Sequence, residues 1–457
     1  MTDDLSFAPG STVHFVGIGG AGMSAIAKVL LERGVTVSGS DLKASRPAVL
    51  LEAMGATVHV GHDAAHVAGA DVVVVSSAIP ERNPELRAAR DAGTKVVTRG
   101  QALAAVLSGT RSIVVAGTHG KTTTTSMIVS VLRSDGRDPT YLVGGGLNDA
   151  GTNAKSGRDE VAVAESDESD GSFLLLRPHV AVVTNVEADH VDYWASDAAL
   201  HDAFRRFLGA ADQTAVVPAA QPEVVAWARE AGVASVTFGE GGDVTASSVR
   251  LDAGGASFVL AAGGARHDVA LRVPGMHNVS NALAAAAACI EIGVAPDAVA
   301  RGLGEYRGVE RRWQLRGQAR GVTVIDDYAH HPTEVRATLG ASRPGPWGRV
   351  VAVFQPHRYS RTRAFAGEFG DSFAGADRVV ITDVYGAGEE PVPGVTGKLV
   401  ADAVCRSYPG RPVAYLPHRD ELIAYLAGTV RAGDAVFTLG AGDVTTVGEE
   451  LLEKIGG

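Results

Sequence analysis

Ser112-Ile113-Val114-Val115-Ala116-Gly117-Thr118-His119-Gly120-Lys121-Thr122-Thr123 passes from an apolar strand pattern, Ser112–Ala116, through a glycine turn into a helical stretch, Thr122–Leu132. A strand, a glycine turn and Lys-Thr opening a helix form a phosphate-binding loop. Its backbone N–H groups cradle phosphates, Lys121 reaches the β and γ oxygens, and the Thr122 hydroxyl binds Mg²⁺. The general G-x-x-x-x-G-K-[ST] pattern has glycine where Val115 stands, so this loop is a shorter variant. A strand feeding a helix in this way belongs to a parallel α/β sheet.

Outward from this loop, short apolar runs alternate with Ala/Leu-rich helical stretches along the whole chain. Upstream, Thr12–Val16, Val35–Ser38, Val72–Ser76 and Lys95–Thr98 read as strands and Ala21–Glu32 as a helix. Downstream, Glu160–Glu165 and Val180–Asn185 continue the second sheet. A Gly/Ala-rich β-like patch at Asp252–Asp268 and a helix at Val279–Ile290 follow. After Trp313 the pattern restarts, with strands at Val322–Asp326, Arg349–Phe354, Val379–Thr382 and Ala435–Leu439 and a helix at Thr333–Ser342. With 457 residues, and about 100–200 per domain, three α/β domains are expected. They span residues 1–109, 110–316 and 317–457, the first and last Rossmann-like and the middle one carrying the P-loop.

Charge and composition narrow the partners. A net charge of −11 argues against nucleic acid, which needs a basic surface. Two cysteines, Cys289 and Cys405, imply no disulfide framework and fit a reducing cytosol. Asp3 and Asp4 stand where a signal peptide carries positive charge, and runs such as Ala282–Ile290 are about half the length of a membrane span. The expectation is a cytoplasmic protein with no membrane insertion.

Gly17, Gly19 and Gly22 form a second glycine loop, G-x-G-x-x-G, between a strand and a helix, suited to a diphosphate at the helix N-terminus. Ser40 and Asp41 follow the next strand, where a carboxylate can bond a ribose. Glu165 is the first polar residue past an apolar strand and stands out as the Mg²⁺ ligand. The acidic run after it, Ser166–Asp170, reads mostly as a solvated loop. The next strand delivers His190 to the same sheet end, as a further metal ligand. Asn278 and Asn281, three apart, put two amides on one helical face, suited either to an adenine edge or, for Asn278, to helix capping. Arg358 and Arg361 follow a strand in a basic run and offer forks for a carboxylate or a phosphate. Gly440–Asp443 reads as a structural glycine loop.

These segments in this order are specific. Gly17–Ser24, Gly117–Thr124, Glu165–Asp170, Asn185–His190, His277–Asn281, Arg311–Gln314, Asp326–Glu334 and Gln355–Arg363 together resemble the Mur ligases, in their alanine-adding branch, over essentially the whole chain. The resemblance implies ATP-driven amide-bond formation between L-alanine and the lactoyl carboxylate of UDP-N-acetylmuramate, by a monomer or weak homodimer. It assigns Gly19, Gly20, Gly22, Ser40, Asp41 and Ser76 to the UDP substrate. Gly117, Thr118, His119, Gly120, Lys121, Thr122 and Thr123 go to ATP phosphates, and Thr122, Glu165 and His190 to Mg²⁺. Asn278, Asn281, Arg312 and Asp327 become adenosine-binding and domain-closing residues, and Tyr328, His330, Arg358 and Arg361 the amino-acid pocket. Lys121, Glu165, His190, Arg312 and Asp327 would carry the catalysis. Several Mur ligases bridge a second Mg²⁺ with a carbamylated lysine. Val191–Ala210 holds no lysine, Arg205 being nearest by spacing, so two Mg²⁺ ions without that bridge are expected. A nicotinamide oxidoreductase would leave the P-loop, Glu165 and His190 unexplained. A P-loop motor or regulatory ATPase would leave the first glycine loop and Arg358–Arg361 unexplained. A ligase attaching a preformed tripeptide is the near competitor.

Overall fold

The computed structural model describes residues 5–189, 193–194 and 196–457. Its strands form three sheets, one per domain. The first runs Thr57–Val60, Thr36–Asp41, Thr12–Val16, Val72–Val75, Lys95–Thr98, all parallel. Strand order reverses at Thr12–Val16, so a crevice opens beyond its C-terminal end, where the first glycine loop and Ser76 lie. The strand expected at Val35–Ser38 extends to Asp41. Ser40 and Asp41 are therefore its last residues and do not follow it.

The second sheet has ten strands, with Arg111–Ala116 between Val180–Val183 and Val161–Glu165. All three are parallel, so the P-loop, Glu165 and Thr184-Asn185 emerge at one edge. The β-like patch is larger than expected: Val244–Asp252, Gly255–Ala262 and Ala265–Leu271 form an antiparallel extension. The helix expected at Val279 begins at Met276 after Gly275. Asn278 is thus inside the first turn and does not cap it; its amide donates to Pro274 O at 2.7 Å.

The third sheet begins with Gln314–Ala319, antiparallel to Val322–Asp327, so a boundary at residue 316 falls inside an edge strand. Its remaining strands are parallel. The chain enters this domain through Arg311 and Trp313, both in left-handed backbone conformation (φ 59° and 48°). One buried apolar cluster contains residues of both the first and the second domain, whereas the two clusters of the third domain draw only on residues from Trp313 onward.

Candidate active site

The P-loop is held by the neighbouring strand end. Thr184 Oγ1 donates to His119 O at 2.6 Å, the Asn185 amide donates to His119 O at 3.0 Å, and Asn185 Oδ1 accepts from His119 N at 2.9 Å. Gly120 turns the chain into helix Lys121–Ser134 at φ +81°, and a Cβ there would lie 2.3 Å from Asn281 Oδ1. Only glycine permits both the conformation and the approach of Asn281.

Lys121 lies back over the loop, donating to Gly117 O (2.6 Å), Thr118 O (3.2 Å) and Glu168 Oε2 (3.0 Å), with Asp167 at 3.8 Å. Burial works against its charge, but Asp167, Glu168 and Glu165 outweigh it and hold the ammonium protonated. Glu168 is 1% exposed, so the acidic run is not simply a solvated loop. Glu165 is half-buried with its Oε2 fully covered, and this desolvation raises its carboxyl pKa; the Thr122 hydroxyl and the Gly144 N–H bond to it, and Oε2 has no hydrogen-bond partner. A Cβ at Gly144 would stand 1.9 Å from Glu165 Oε1, so glycine lets the backbone close on the carboxylate. A buried carboxylate with an unmade contact beside a hydroxyl fits a hard divalent cation such as Mg²⁺. His190 lies outside the described residues.

Thr118–Thr122, Glu165, Arg312, Tyr328, His330, Arg358 and Arg361 line one cavity of about 470 Å³ between the domains. Tyr328 is flanked by the guanidinium groups of Arg311 (4.9 Å) and Arg312 (5.0 Å), and His330 packs edge-on to it and to His357. Burial lowers His330 to about 4 and His357 to about 3, so both rings are neutral near pH 7. Arg358 precedes helix Tyr359–Ser372 at φ 68° and lines the cavity. Arg361 departs from the expectation of a second open fork. It is buried, and its Nε and Nη2 hold the Asp189 carboxylate at 2.9–3.1 Å.

A second cavity, about 200 Å³, is lined by His119, Gly120, Asn278, Asn281, Tyr306, Arg312 and Asp327. It sits beside the P-loop and is the size of a nucleobase. Asp327 accepts from Trp313 N and Ala329 N, both at 2.8 Å, and burial raises its pKa to about 6 although Arg312 opposes the shift. It ties the linker to the third domain. At the first glycine loop, Asp41 Oδ2 accepts from Gly19 N at 2.9 Å, while Gly20, Gly22 and Ser76 line a cleft that runs to Glu165. Ser40 does not join them: it is fully buried and donates to Glu85 at 2.5 Å.

Several contributors had no signal of their own in the sequence. His331 caps helix Pro332–Ser342 with Pro332 at its first position, and Glu334 completes the capping box. That places the Glu334 carboxylate 3.2 Å from His119 Nδ1, across the domain junction. Thr333 donates to Glu187 of the second domain at 2.8 Å. Arg311 donates to the carbonyls of Gly440, Ala441 and Gly442, which gives the Gly440–Asp443 loop its structural role. Arg205, nearest by spacing to the absent bridging lysine, faces Glu230 (3.3 Å) and Trp227, away from the cleft.

Comparison with known proteins agrees over the whole chain. Residues 12–111 match the profile of the Mur ligase family catalytic domain, 115–289 the Mur ligase middle domain and 311–442 the Mur ligase glutamate ligase domain. A UDP-N-acetylmuramate–L-alanine ligase of Rubrobacter xylanophilus is 49% identical, covering 97% of this chain and 100% of the relative. The enzyme of that name from Thermobifida fusca is 46% identical, with 97% and 96% covered. Among solved structures, a UDP-N-acetylmuramate–alanine ligase of Thermotoga maritima superposes with a TM-score of 0.83 at 30% identity, covering 97% and 98% of the two chains. A murein peptide ligase of Psychrobacter arcticus gives 0.72 at 27% identity, covering 98% and 99%.

Proposed function

The chain belongs to the Mur ligase family, and from that premise we propose that it joins L-alanine to the lactoyl carboxylate of UDP-N-acetylmuramate, driven by ATP, in peptidoglycan synthesis. The observation that carries this reading is the single cavity in which Lys121 and Glu165 face Tyr328, His330 and Arg358. A phosphate-transfer site and a carboxylate-binding site share one space.

A carboxylate is a poor acyl donor to an amine, because oxide would have to leave. A lactoyl carboxylate oxygen therefore attacks the γ-phosphorus, the bond to the β–γ bridging oxygen breaks, and ADP departs. The amine nitrogen of alanine then attacks the acyl-phosphate carbonyl carbon. Inorganic phosphate leaves with its bonding pair, and the amine proton passes to a base. Lys121 neutralises charge on the transferred phosphoryl group once ATP draws its ammonium from Glu168. Mg²⁺ held by Thr122 and Glu165, with His190 as a further ligand, would supply the rest of that neutralisation; a second Mg²⁺ needs no carbamylated lysine here. Asn278 and Asn281 hold the adenine, and Arg312 with Asp327 fixes the linker over it. Gly19, Gly20, Gly22 and Ser76 seat the diphosphate of the UDP substrate, and the Asp41 carboxylate serves its ribose. Arg358 takes the alanine carboxylate beside Tyr328 and His330, and Arg361 serves by closing the domain through Asp189. Closure keeps water from the acyl phosphate. The domains divide near residue 109 and, ahead of the edge strand Gln314–Ala319, near residue 313. No described helix is long and apolar enough to cross a membrane.

Phosphate release with ATP and UDP-N-acetylmuramate, tested against L-alanine, glycine, L-serine and a preformed tripeptide with a free N-terminal amine, tests the reading. L-alanine should give the highest kcat/KM, with glycine and serine lower by roughly 10–200-fold, the range one methyl or hydroxyl can supply. Turnover with the tripeptide alone would transfer the chain to the peptide-ligase branch.

A further inference from the structure

His119, Glu187 and His331 meet at the junction of the second and third domains, and one ligand-capable atom from each lies within 4.8 Å of the other two. His119 and Glu187 belong to the second domain, and His331 to the third. The two imidazole rings lie 4.7 Å apart, centroid to centroid. Nε2 of His119 and Nε2 of His331 are both buried and make no hydrogen bond; His119 Nε2 stands 3.5 Å from Glu187 Oε2. His331 Nε2 is costly to leave buried without a partner, and His119 Nε2 has only the Glu187 carboxylate at long range.

The surroundings resemble the outer shell of a metal centre. His119 Nδ1 bonds the Glu334 carboxylate at 3.2 Å, the carboxylate–histidine pairing that fixes a ring and directs its other nitrogen toward a metal. Glu187 Oε2 accepts from Thr333 Oγ1 at 2.8 Å, which orients that carboxylate in turn. His331 Nδ1 accepts from Thr333 N at 3.4 Å, a long cap bond that the ring gives up readily on coordinating through Nε2. Two imidazoles and one carboxylate suit a borderline-soft divalent ion such as Zn²⁺ better than Mg²⁺, whose ligands are mostly oxygen.

We propose that His119, Glu187 and His331 form a transition-metal site of the Zn²⁺ class, separate from the Thr122–Glu165 position, whose occupancy staples the third domain to the P-loop. Three protein ligands leave a fourth position for water. Because one ligand lies in the P-loop and another caps the first helix after the linker, a bound ion resists opening of the cleft.

The test uses full-length, tag-free protein and Zn²⁺ alone as the probe, in equilibrium dialysis with Mg²⁺ in large excess. One Zn²⁺ per chain should bind. His331→Asn keeps a capping side chain but offers no soft nitrogen; Glu187→Gln removes the carboxylate and serves if the first variant fails to fold. Each should weaken binding by at least about 10–100-fold, the scale seen for losing support at metal sites. Co²⁺ loaded in place of Zn²⁺ should show the visible bands of four-coordinate nitrogen and oxygen ligation. Zn²⁺ should also slow tryptic cleavage of the linker at Arg311 and Arg312 in the parent but not in His331→Asn. Absence of saturable binding that survives excess Mg²⁺, or affinity unchanged in both variants, would overturn the site.

Discussion

Leu103, Val106 and Leu107 of the first domain share one continuous buried cluster with Phe173, Leu176 and Phe204 of the second. Across the other junction the contacts are of another kind: Arg361 with Asp189, His119 with Glu334, Thr333 with Glu187. Each fully buried apolar side chain contributes about 1.5–3 kcal/mol, with no geometry to preserve and no competing ligand. A buried ion pair is different. Its attraction barely exceeds its desolvation cost, and anything else that satisfies both charges can replace it. The first two domains are therefore built as one body, tightened by Lys28–Thr152 and by Ser156 N to Glu32. The third is docked by bonds that a charged substrate can exchange. In this arrangement the Asp189 carboxylate occupies a guanidinium that otherwise suits a substrate carboxylate.

The largest expected effect probes the fused body, where the phosphate chemistry resides. Lys121→Ala should lower turnover by roughly 10²–10³-fold, on the order of 3–4 kcal/mol, with binding of the UDP substrate little changed because that loop lies in another domain. Titration calorimetry with UDP-N-acetylmuramate beside a phosphate-release assay separates the two; turnover within a few-fold of the parent removes Lys121 from the mechanism.

Asp189→Ala sharpens the contrast at the polar junction. Removing one member of a buried pair costs about 3–5 kcal/mol if the other stays buried, so the third domain should swing out instead. Small-angle scattering should report a larger radius of gyration, and the KM for L-alanine should shift more than that for the UDP substrate. An unchanged radius would mean that the junction is held by something else.

A smaller effect is expected from pH. His330, His357 and His277 are held neutral by burial, at about 4, 3 and 4. A histidine whose folded pKa lies below its free value of about 6.5 stabilises the closed form only above that value, and the contribution is lost as pH falls toward 4. His119 works in the opposite sense. Burial opposes its charge, but Glu187 and Glu334 raise it to about 9, so its contribution is complete below about 6.5 and is lost as pH rises through 9. Docking should be strongest near pH 6.5 and weaken toward both 4 and 9, while the largely apolar junction changes less; scattering across about pH 4 to 10 checks this.

The smallest expected effect is none at all. Removing CO₂ and restoring bicarbonate should leave turnover unchanged, since Val191–Ala210 has no lysine and Arg205 faces outward. Bicarbonate rescue would reveal a lysine supplied from elsewhere.

Legibility in the sequence followed the same division. The P-loop, the Rossmann-like first sheet and the strand ends at Glu165 and Asn185 were readable because each depends on one strand and the turn after it. Asn278 and Asn281 were placed on one helix face by spacing alone, although capping falls to Gly275. Glu334, Glu187 and Asp189 carried no such signal. Their partners lie up to 215 residues away in the chain, across a rotation between domains that periodicity does not encode. Ser40 misled because the strand runs three residues past Ser38, which turns its hydroxyl into the core.

Distances between the domains test the central claim most directly. Cys405 is exposed on the third domain and Cys289 is buried, so a spin label attaches naturally at the former. Glu52→Cys and Arg229→Cys, at exposed positions, add labels on the first and second domains; Arg229→Cys alone pairs with Cys405, and the two together on a Cys405→Ser background give the first-to-second pair. The first-to-second distance should be one narrow distribution, unchanged by ATP, UDP-N-acetylmuramate or L-alanine. The second-to-third distance should be broader and should shift as these ligands are added. A ligand-dependent first-to-second distance beside a fixed second-to-third distance would contradict the account.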